Sequence, residues 1–497
     1  MSVDVDAASA DVYVAGKILP AARDVVRNPA RTSEVVGHVA LGTATHVDAA
    51  VAEAVGAAPS WAGMRASDRA DALEAAAAAL TPRVDSLAEL LTREQGKTLW
   101  EARADVAGAV SVLRYYAGLS RALDTDDIFR TDERGTVWRG RRPIGAAGVI
   151  VPWNSPAYLG FLAIGPALAG GNTVVVKPSE LAPLALSEMA SAVADCLPPG
   201  VLSVVPGAGE PGAALAAHPR VRKILFTGST ETGRSIMKAA AGTLKNLSLE
   251  LGGNDPAVVL ESATISDDLV TELMLGTFAI SGQVCFSVKR IYVHRSHWAT
   301  LVQKYCDAVD RLVVGNGLDP SVSMGPLNNR RQYERVQELL ADAQNRGAEV
   351  RALGRKADEA SWQQGHFLLP HVVTGLSSSA PLIVEEQFGP AVPIIAFDRD
   401  DEAVAAANGT EFGLAASVWS DDDAHAMAVA RQLQCGTVFR NVHRAGASDV
   451  TMPFGGFKQS GIGRMHGLAA LEACTESQIV ANYKDGTRLP RPPWAGG

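Results

Sequence analysis

Cys285 stands in the polar stretch "SGQVCFS", between an apolar segment and the strand-like "KRIYVH". Its neighbours Gly282, Gln283 and Ser287 suit a loop with an accessible thiol, and a thiolate is a strong nucleophile. Upstream, Glu250 is an acid inside the apolar run "NLSLELGG". Burying a carboxylate is costly unless it is paired, so its pKa should be perturbed and it becomes a candidate general base. A salt-bridged structural glutamate is the competing reading. Asn154 follows a strand in "VPWNSP". Its amide could donate to a developing oxyanion, or it could cap the next helix.

Three further stretches suit a nucleotide. In "ILFTGSTETG" a β run leads to Gly228, Ser229 and Gly233 at a helix start. Free backbone N–H groups there attract phosphate, and glycine allows close approach. The G-x-G-x-x-G fingerprint is absent, so a plain βα turn remains open. In "VVVKPSE", Lys177 and Glu180 close an apolar strand, where a glutamate can accept from a ribose diol. A solvated strand end is the alternative. In "EEQFGP", Glu386 could hold a ribose and Phe388 could pack on a flat ring. "PFGGFKQSGIGR" reads as a tight surface loop leading into a helix.

The elements that must position these residues are legible. Residues 45–120 have the three- and four-residue apolar spacing of helices, one of them opened by Ser67 before Asp68. Residues 123–142 are polar around a turn at Glu133–Gly135 and suggest a projecting hairpin. From residue 143, apolar strands ("AAGVIVP", "NTVVVKP", "GVLSVVPG", "RKILFTG") alternate with helical stretches near 156–169, 183–196, 209–217 and 230–241. That alternation implies βαβ units and a covered parallel sheet. A second alternation runs through "DPAVVL", "VKRIYVH", "AVPIIAF", "LAASVWS" and "GTVFRN". Two α/β domains are expected, with a boundary near residue 252. The strand-like "SQIVANY" should pair with another element or another subunit.

Bulk properties exclude several classes. The chain has 497 residues, 47% hydrophobic and 20% charged, and a net charge of −9. No long basic run favours nucleic acid or an anionic membrane. No apolar run reaches the ~20 residues of a membrane span. The acidic N-terminus lacks a basic-then-apolar signal, so a cytoplasmic protein is expected. The five cysteines (Cys196, Cys285, Cys306, Cys435 and Cys474) are widely spaced, with no C-x-x-C pair. That argues against disulfides and against a metal site. The four other than Cys285 read as inert buried thiols.

Taken together, "PWN", "GNTVVVKPSE", "FTGSTETG", "LELGG", "GQVC", "EEQFGP" and "PFGGFKQSGIGR" resemble, in order and spacing, the NAD(P)-dependent aldehyde dehydrogenase superfamily over about residues 10–485. The resemblance implies an α/β fold with three parts. A Rossmann-type cofactor domain spans 1–122 and 143–252, and a second α/β catalytic domain spans 253–452. A small β oligomerisation element comprises 123–142 and 475–497. It implies Cys285 as nucleophile, Asn154 with the Cys285 backbone N–H as oxyanion donors, and Glu250 as the base that activates water. Lys177 and Glu180 match adenine-ribose contacts, and Ser229, between Gly228 and Gly233, matches a pyrophosphate contact. Glu386, Phe388 and Trp153 match the nicotinamide side. The expected cofactor is NAD, since Glu180 would repel a 2′-phosphate, although NADP is possible. The expected partners are a small aldehyde and further copies of the chain, in a homodimer or homotetramer.

Two departures stand out. Ser155, Leu162 and Ala163 replace an aromatic residue and a Trp–Lys pair common in the family, which implies a more open aldehyde tunnel and no lysine relay to Glu250. "FRNVHRAG" brings Arg440, His443 and Arg444 near the substrate mouth. An anionic aldehyde and a solvated basic loop are both readings of it. CoA-acylating or semialdehyde-specific enzymes of the same fold are alternatives, as is a non-catalytic binding protein.

Overall fold

The computed structural model describes residues 8–485 and 487. Helices α1 (Ala44–Gly63), α2 (Ala66–Leu80), α3 (Val84–Gln95) and α4 (Leu99–Ser120) occupy the expected region. Helix α2 starts one residue before the expected opener: Ser67 lies inside it and Arg65 is its N-cap. The Arg65 guanidinium grips Asp68 at 2.7 Å, and Asp68 also suits the positive helix N-terminus. Thr98 and Glu101 form a capping box on α4, with Thr98 N donating to Glu101 at 2.9 Å.

The first sheet holds five parallel strands: β1 (Ala146–Ile150), β2 (Thr173–Lys177), β3 (Leu202–Val204), β4 (Lys223–Thr227) and β5 (Asn246–Glu250). Helices α5 (Pro156–Ala169), α6 (Leu184–Ala194), α7 (Gly209–Ala217) and α8 (Thr230–Ala241) connect them. Their order is β3-β2-β1-β4-β5, the dinucleotide-binding arrangement with its switch point between β1 and β4. Every residue of β1 and β2 is buried, which is why those strands read as unbroken apolar runs. Val12–Val14 closes one edge and Gly461–Ile462 the other, both antiparallel. The glycine-rich loop therefore returns from the far end of the chain to cover β5.

The second sheet holds β6 (Asp255–Val259), β7 (Val288–His294), β8 (His371–Thr374), β9 (Ala391–Phe397), β10 (Ala415–Trp419) and β11 (Thr437–Arg440), all parallel. Their order is β8-β9-β7-β6-β10-β11, with Glu349–Ala352 antiparallel at the β8 edge. Helix α9 (Asp267–Phe278) and a left-handed loop link β6 to β7.

Asp127–Asp132 and Gly135–Pro143 form the expected hairpin, and Thr475–Tyr483 pairs antiparallel with the whole of Gly135–Pro143. The tail strand thus finds its partner within the chain. Residues 1–7, 486 and 488–497 of the expected segments lie outside the described residues. No helix of the described residues is long and apolar enough to cross a membrane.

Candidate active site

The chain leaves β5 at Glu250, crosses at Leu251–Asn254 and enters β6. The carboxyl edge of the first sheet thereby meets the amino edge of the second. Two glycines make the crossing possible. A Cβ on Gly253 would lie 2.5 Å from the Cys285 carbonyl oxygen, and one on Gly252 would lie 2.6 Å from a Glu386 carboxylate oxygen. Side chains there would push the nucleophile loop and Glu386 away.

The Cys285 loop is held from several sides. Ile280, Ser281 and Gly282 take φ values of 50°, 57° and 72°, a strained run for which the surroundings must compensate. Glu101, the capping residue of α4, accepts Ile280 N at 2.7 Å. Ser281 Oγ donates to Gly325 O at 2.8 Å, and Gln283 Oε1 accepts Asn328 N at 2.9 Å. From the first domain, Asn154 Nδ2 donates to Gln283 O at 2.9 Å. That bond uses one amide proton and leaves the second for another acceptor.

Cys285 itself is half-buried. Burial pushes its thiol up to about 12; Lys289 pulls it down, while Glu386, Asp255 and Glu250 add to the rise. Of the other four cysteines, three are buried as expected, but Cys196 is exposed. It lies past the end of α6, in a turn leading to "LPPG", where no layer covers it. Exposure alone therefore does not mark Cys285; its surroundings do.

Glu250 is buried, and neither carboxylate oxygen has a hydrogen-bond partner among the described residues. Burial raises its pKa well above the usual carboxylate range, and Arg464 only partly opposes this. A Cβ on Gly455 would lie 2.8 Å from Glu250 Oε1, so the glycine-rich loop closes directly over the carboxylate. The expected salt-bridged alternative is not what the structure contains. The helix positions Leu162 and Ala163 are buried in the apolar core.

The nucleotide-side residues gather at the carboxyl edge of the first sheet. Lys177 is buried and donates to Gly207 O (2.6 Å) and Ala208 O (3.2 Å), with Glu180 at 3.5 Å. Burial lowers its pKa, and Glu180 opposes that. Ser229 is the N-cap of α8, its Oγ accepting Thr232 N at 3.2 Å. Gly228 N donates to Glu250 O at 3.0 Å, tying the turn to β5. Gly233 packs on Leu251, where a Cβ would lie 2.6 Å from a methyl. Trp153 meets Phe388 edge-on at 5.6 Å between ring centroids. Glu386 accepts Gly253 N at 3.1 Å and pairs with Lys289 at 3.3 Å.

The basic loop offers no free cation. Arg440 pairs with Asp423 at 2.5 Å and Arg444 with Glu272 at 2.7 Å. His443 is fully buried between Ser417 Oγ and Phe286 O, each at 2.9 Å. Both arginines of this loop thus sit in acid pairs at the surface, and its histidine is enclosed.

Sequence reasoning missed Lys289, Arg464 and Glu101. Lys289 carried a signal like that of Glu250, a charge in a buried strand, shared there with its neighbour Arg290. Glu101 carried the capping-box spacing from Thr98.

Comparisons with known proteins agree with this geometry. A model of the aldehyde dehydrogenase family matches residues 21–480. The chain is 35% identical over 476 residues to a 2-aminomuconic semialdehyde dehydrogenase of Bos taurus, covering 94% of this chain and 97% of that one. It superposes on the NAD+ complex of Staphylococcus aureus betaine aldehyde dehydrogenase with a TM-score of 0.91, at 32% identity, covering 97% and 96% of the two chains. An E. coli structure described as an NADP-dependent enzyme gives a TM-score of 0.91 at 33% identity, covering 97% of this chain and all of that one. This chain belongs to the aldehyde dehydrogenase family, NAD(P)-dependent enzymes whose general reaction oxidises an aldehyde to an acid.

Proposed function

We propose that Cys285, Asn154 and Glu250 carry the oxidation, with NAD as the hydride acceptor. The supporting observation is that Asn154 reaches across from one domain to the nucleophile loop of the other, while Glu250 stays buried and unpartnered. The Cys285 thiol gives up its proton to water, the thiolate sulfur bonds to the aldehyde carbon, and the carbonyl electron pair moves to oxygen. The free amide proton of Asn154 and the Cys285 N–H stabilise that oxyanion. When bound, the nicotinamide supplies the acceptor for the hydride that the tetrahedral thiohemiacetal loses. The product is a thioester on Cys285. Glu250 takes a proton from water, the resulting hydroxide adds to the thioester carbon, and the carbon–sulfur bond breaks to release the acid. An unpartnered carboxylate suits that role, because no existing hydrogen bond has to be broken.

The residues present fit a dinucleotide. The switch point lies between β1 and β4, with Lys177 and Glu180 at the end of the neighbouring β2, and the N-terminus of α8, which follows β4, can receive a pyrophosphate. Trp153, Phe388 and Glu386 would face the nicotinamide half. Glu180 favours NAD, because a 2′-phosphate beside a carboxylate is repelled.

Arg440 and Arg444 are already paired, which supports an uncharged aldehyde over a carboxylate-bearing semialdehyde. Rates with matched pairs of aldehydes, with and without a terminal carboxylate, measured with NAD and with NADP, test both preferences. A higher kcat/KM for the anionic member would reverse the first. The sheet formed by Asp127–Asp132, Gly135–Pro143 and Thr475–Tyr483 exposes Ile128, Phe129, Ile479 and Val480 and would serve self-association. Light scattering of the purified chain should give a dimer or tetramer; a monomer would refute this. For the reaction itself, Cys285→Ala should abolish aldehyde-dependent NADH formation, and retained turnover would reject the nucleophile.

A further inference from the structure

Lys289 is the second residue of β7, four residues after Cys285, and its side chain is 2% exposed. An ammonium has three protons to donate. Here there are three acceptors: Val284 O at 2.8 Å, Cys285 O at 2.6 Å and Glu386 Oε1 at 3.3 Å. The first of these matters most. Val284 O belongs to the peptide whose other end is the Cys285 N–H. Ser287 also donates to the same carbonyl, through Oγ at 2.9 Å and through its backbone N at 3.3 Å, so both lone pairs of Val284 O are engaged. A peptide whose carbonyl is held by three donors, one of them charged, has a fixed plane. Its N–H is also polarised into a stronger donor, because linked hydrogen bonds reinforce one another.

We propose that Lys289 is a positioning residue for the oxyanion site: by gripping Val284 O it aims and strengthens the Cys285 N–H, and by gripping Glu386 it ties that donor to the nicotinamide side. This rests on the reading of Cys285 as nucleophile. Glu386 holds the ammonium from the opposite side and also accepts Gly253 N, so the domain crossing, the nucleophile peptide and the cofactor-side carboxylate form one network. The residue that creates it lies four positions after Cys285 and is almost wholly buried. It acts through the peptide.

The test compares two reactions of the same sulfur in the full-length enzyme. Hydrolysis of p-nitrophenyl acetate without NAD passes through an oxyanion; alkylation by iodoacetamide does not. Their rate ratio at one pH cancels the thiolate fraction common to both. Deleting a whole oxyanion donor costs about 10²–10³ in rate. Weakening one through its carbonyl should lower the ratio by roughly tenfold in Lys289→Met and about threefold in Ser287→Ala. The hydride burst should fall with ester hydrolysis. A ratio within about twofold of the parent in Lys289→Met overturns the proposal. If that variant does not fold, an unchanged ratio in Ser287→Ala overturns it instead. Cys285→Ala is run alongside. Ester hydrolysis surviving in that variant would remove the nucleophile reading itself, which separates the two failures.

Discussion

Two buried ionisable groups flank the crossing between the sheets, and the structure treats them in opposite ways. Glu250, at the carboxyl end of β5, has no hydrogen-bond partner for either oxygen among the described residues. Lys289, at the amino end of β7, has a partner for every proton. A satisfied buried charge is rigid and holds its neighbours in place. An unsatisfied one is held at a cost, and it can exchange a proton without dismantling a network. The carboxyl edge of the first sheet thus supplies the proton chemistry and the amino edge of the second supplies the fixed frame. Ligand chemistry in open α/β sheets gathers at carboxyl edges. The second sheet departs from that because its nucleophile loop enters the cleft before β7 begins.

That contrast can be broken at four points. Removing the unsatisfied carboxylate should have the largest effect. Glu250→Gln should slow steady turnover by about 10²–10⁴-fold, the usual range for a lost general base, while the first hydride burst remains. An unchanged steady rate would point to another base. Asn154 reaches from the loop after β1 to the framed Cys285 loop, and Asn154→Ala should cut the burst by about 10²-fold, as for loss of one oxyanion donor. Stopped-flow absorbance at the NADH band measures both.

The crossing itself comes next. Gly253→Ala would set a methyl 2.5 Å from Cys285 O. Overpacking of that kind costs about 1–3 kcal/mol. The expected outcome is a lower melting temperature together with a slower burst; an unaffected burst would show that the loop can move without penalty. The smallest effect is expected at the α8 cap. Ser229→Ala should cost about 1 kcal/mol of stability and weaken NAD binding, read by calorimetry and by cofactor titration.

The pH dependence has a definite sign. Burial raises the pKa of Glu250, and the group acts as a base only when ionised. Turnover should therefore climb as pH rises through that raised value and be lost below it. The same burial makes the native state favour the protonated form. Its contribution to stability is fully present below the unfolded pKa and is lost as pH rises through the folded one. Activity and stability should consequently move in opposite directions with pH as far as this residue controls them. A kcat profile that shows no loss on the acid side would contradict the assignment.

Much of this was legible in the residues because the strands are short, mostly buried and often bounded by Pro or Gly. Helices α5 and α7 end where the pattern placed them, and α8 begins at Thr230, where the turn residues Gly228 and Ser229 finish. Glu250 was legible because an acid in an apolar strand is anomalous. Lys289 was also anomalous, but two of its partners are backbone carbonyls, which leave no trace in side-chain spacing, and the third, Glu386, lies almost 100 residues away. Nor could spacing show that Gly461–Ile462 pairs with β5 and brings Gly455 over Glu250, because that contact spans more than 200 residues. Arg440 and Arg444 looked available from the sequence; only the fold shows Asp423 and Glu272 already holding them.

The most direct measurement is mass spectrometry of Glu250→Gln enzyme quenched after mixing with aldehyde and NAD. The acyl group should be found on the peptide that contains Cys285, in an amount matching the NADH burst. An unmodified Cys285 beside a full burst, or an acyl group on another residue, would contradict the account.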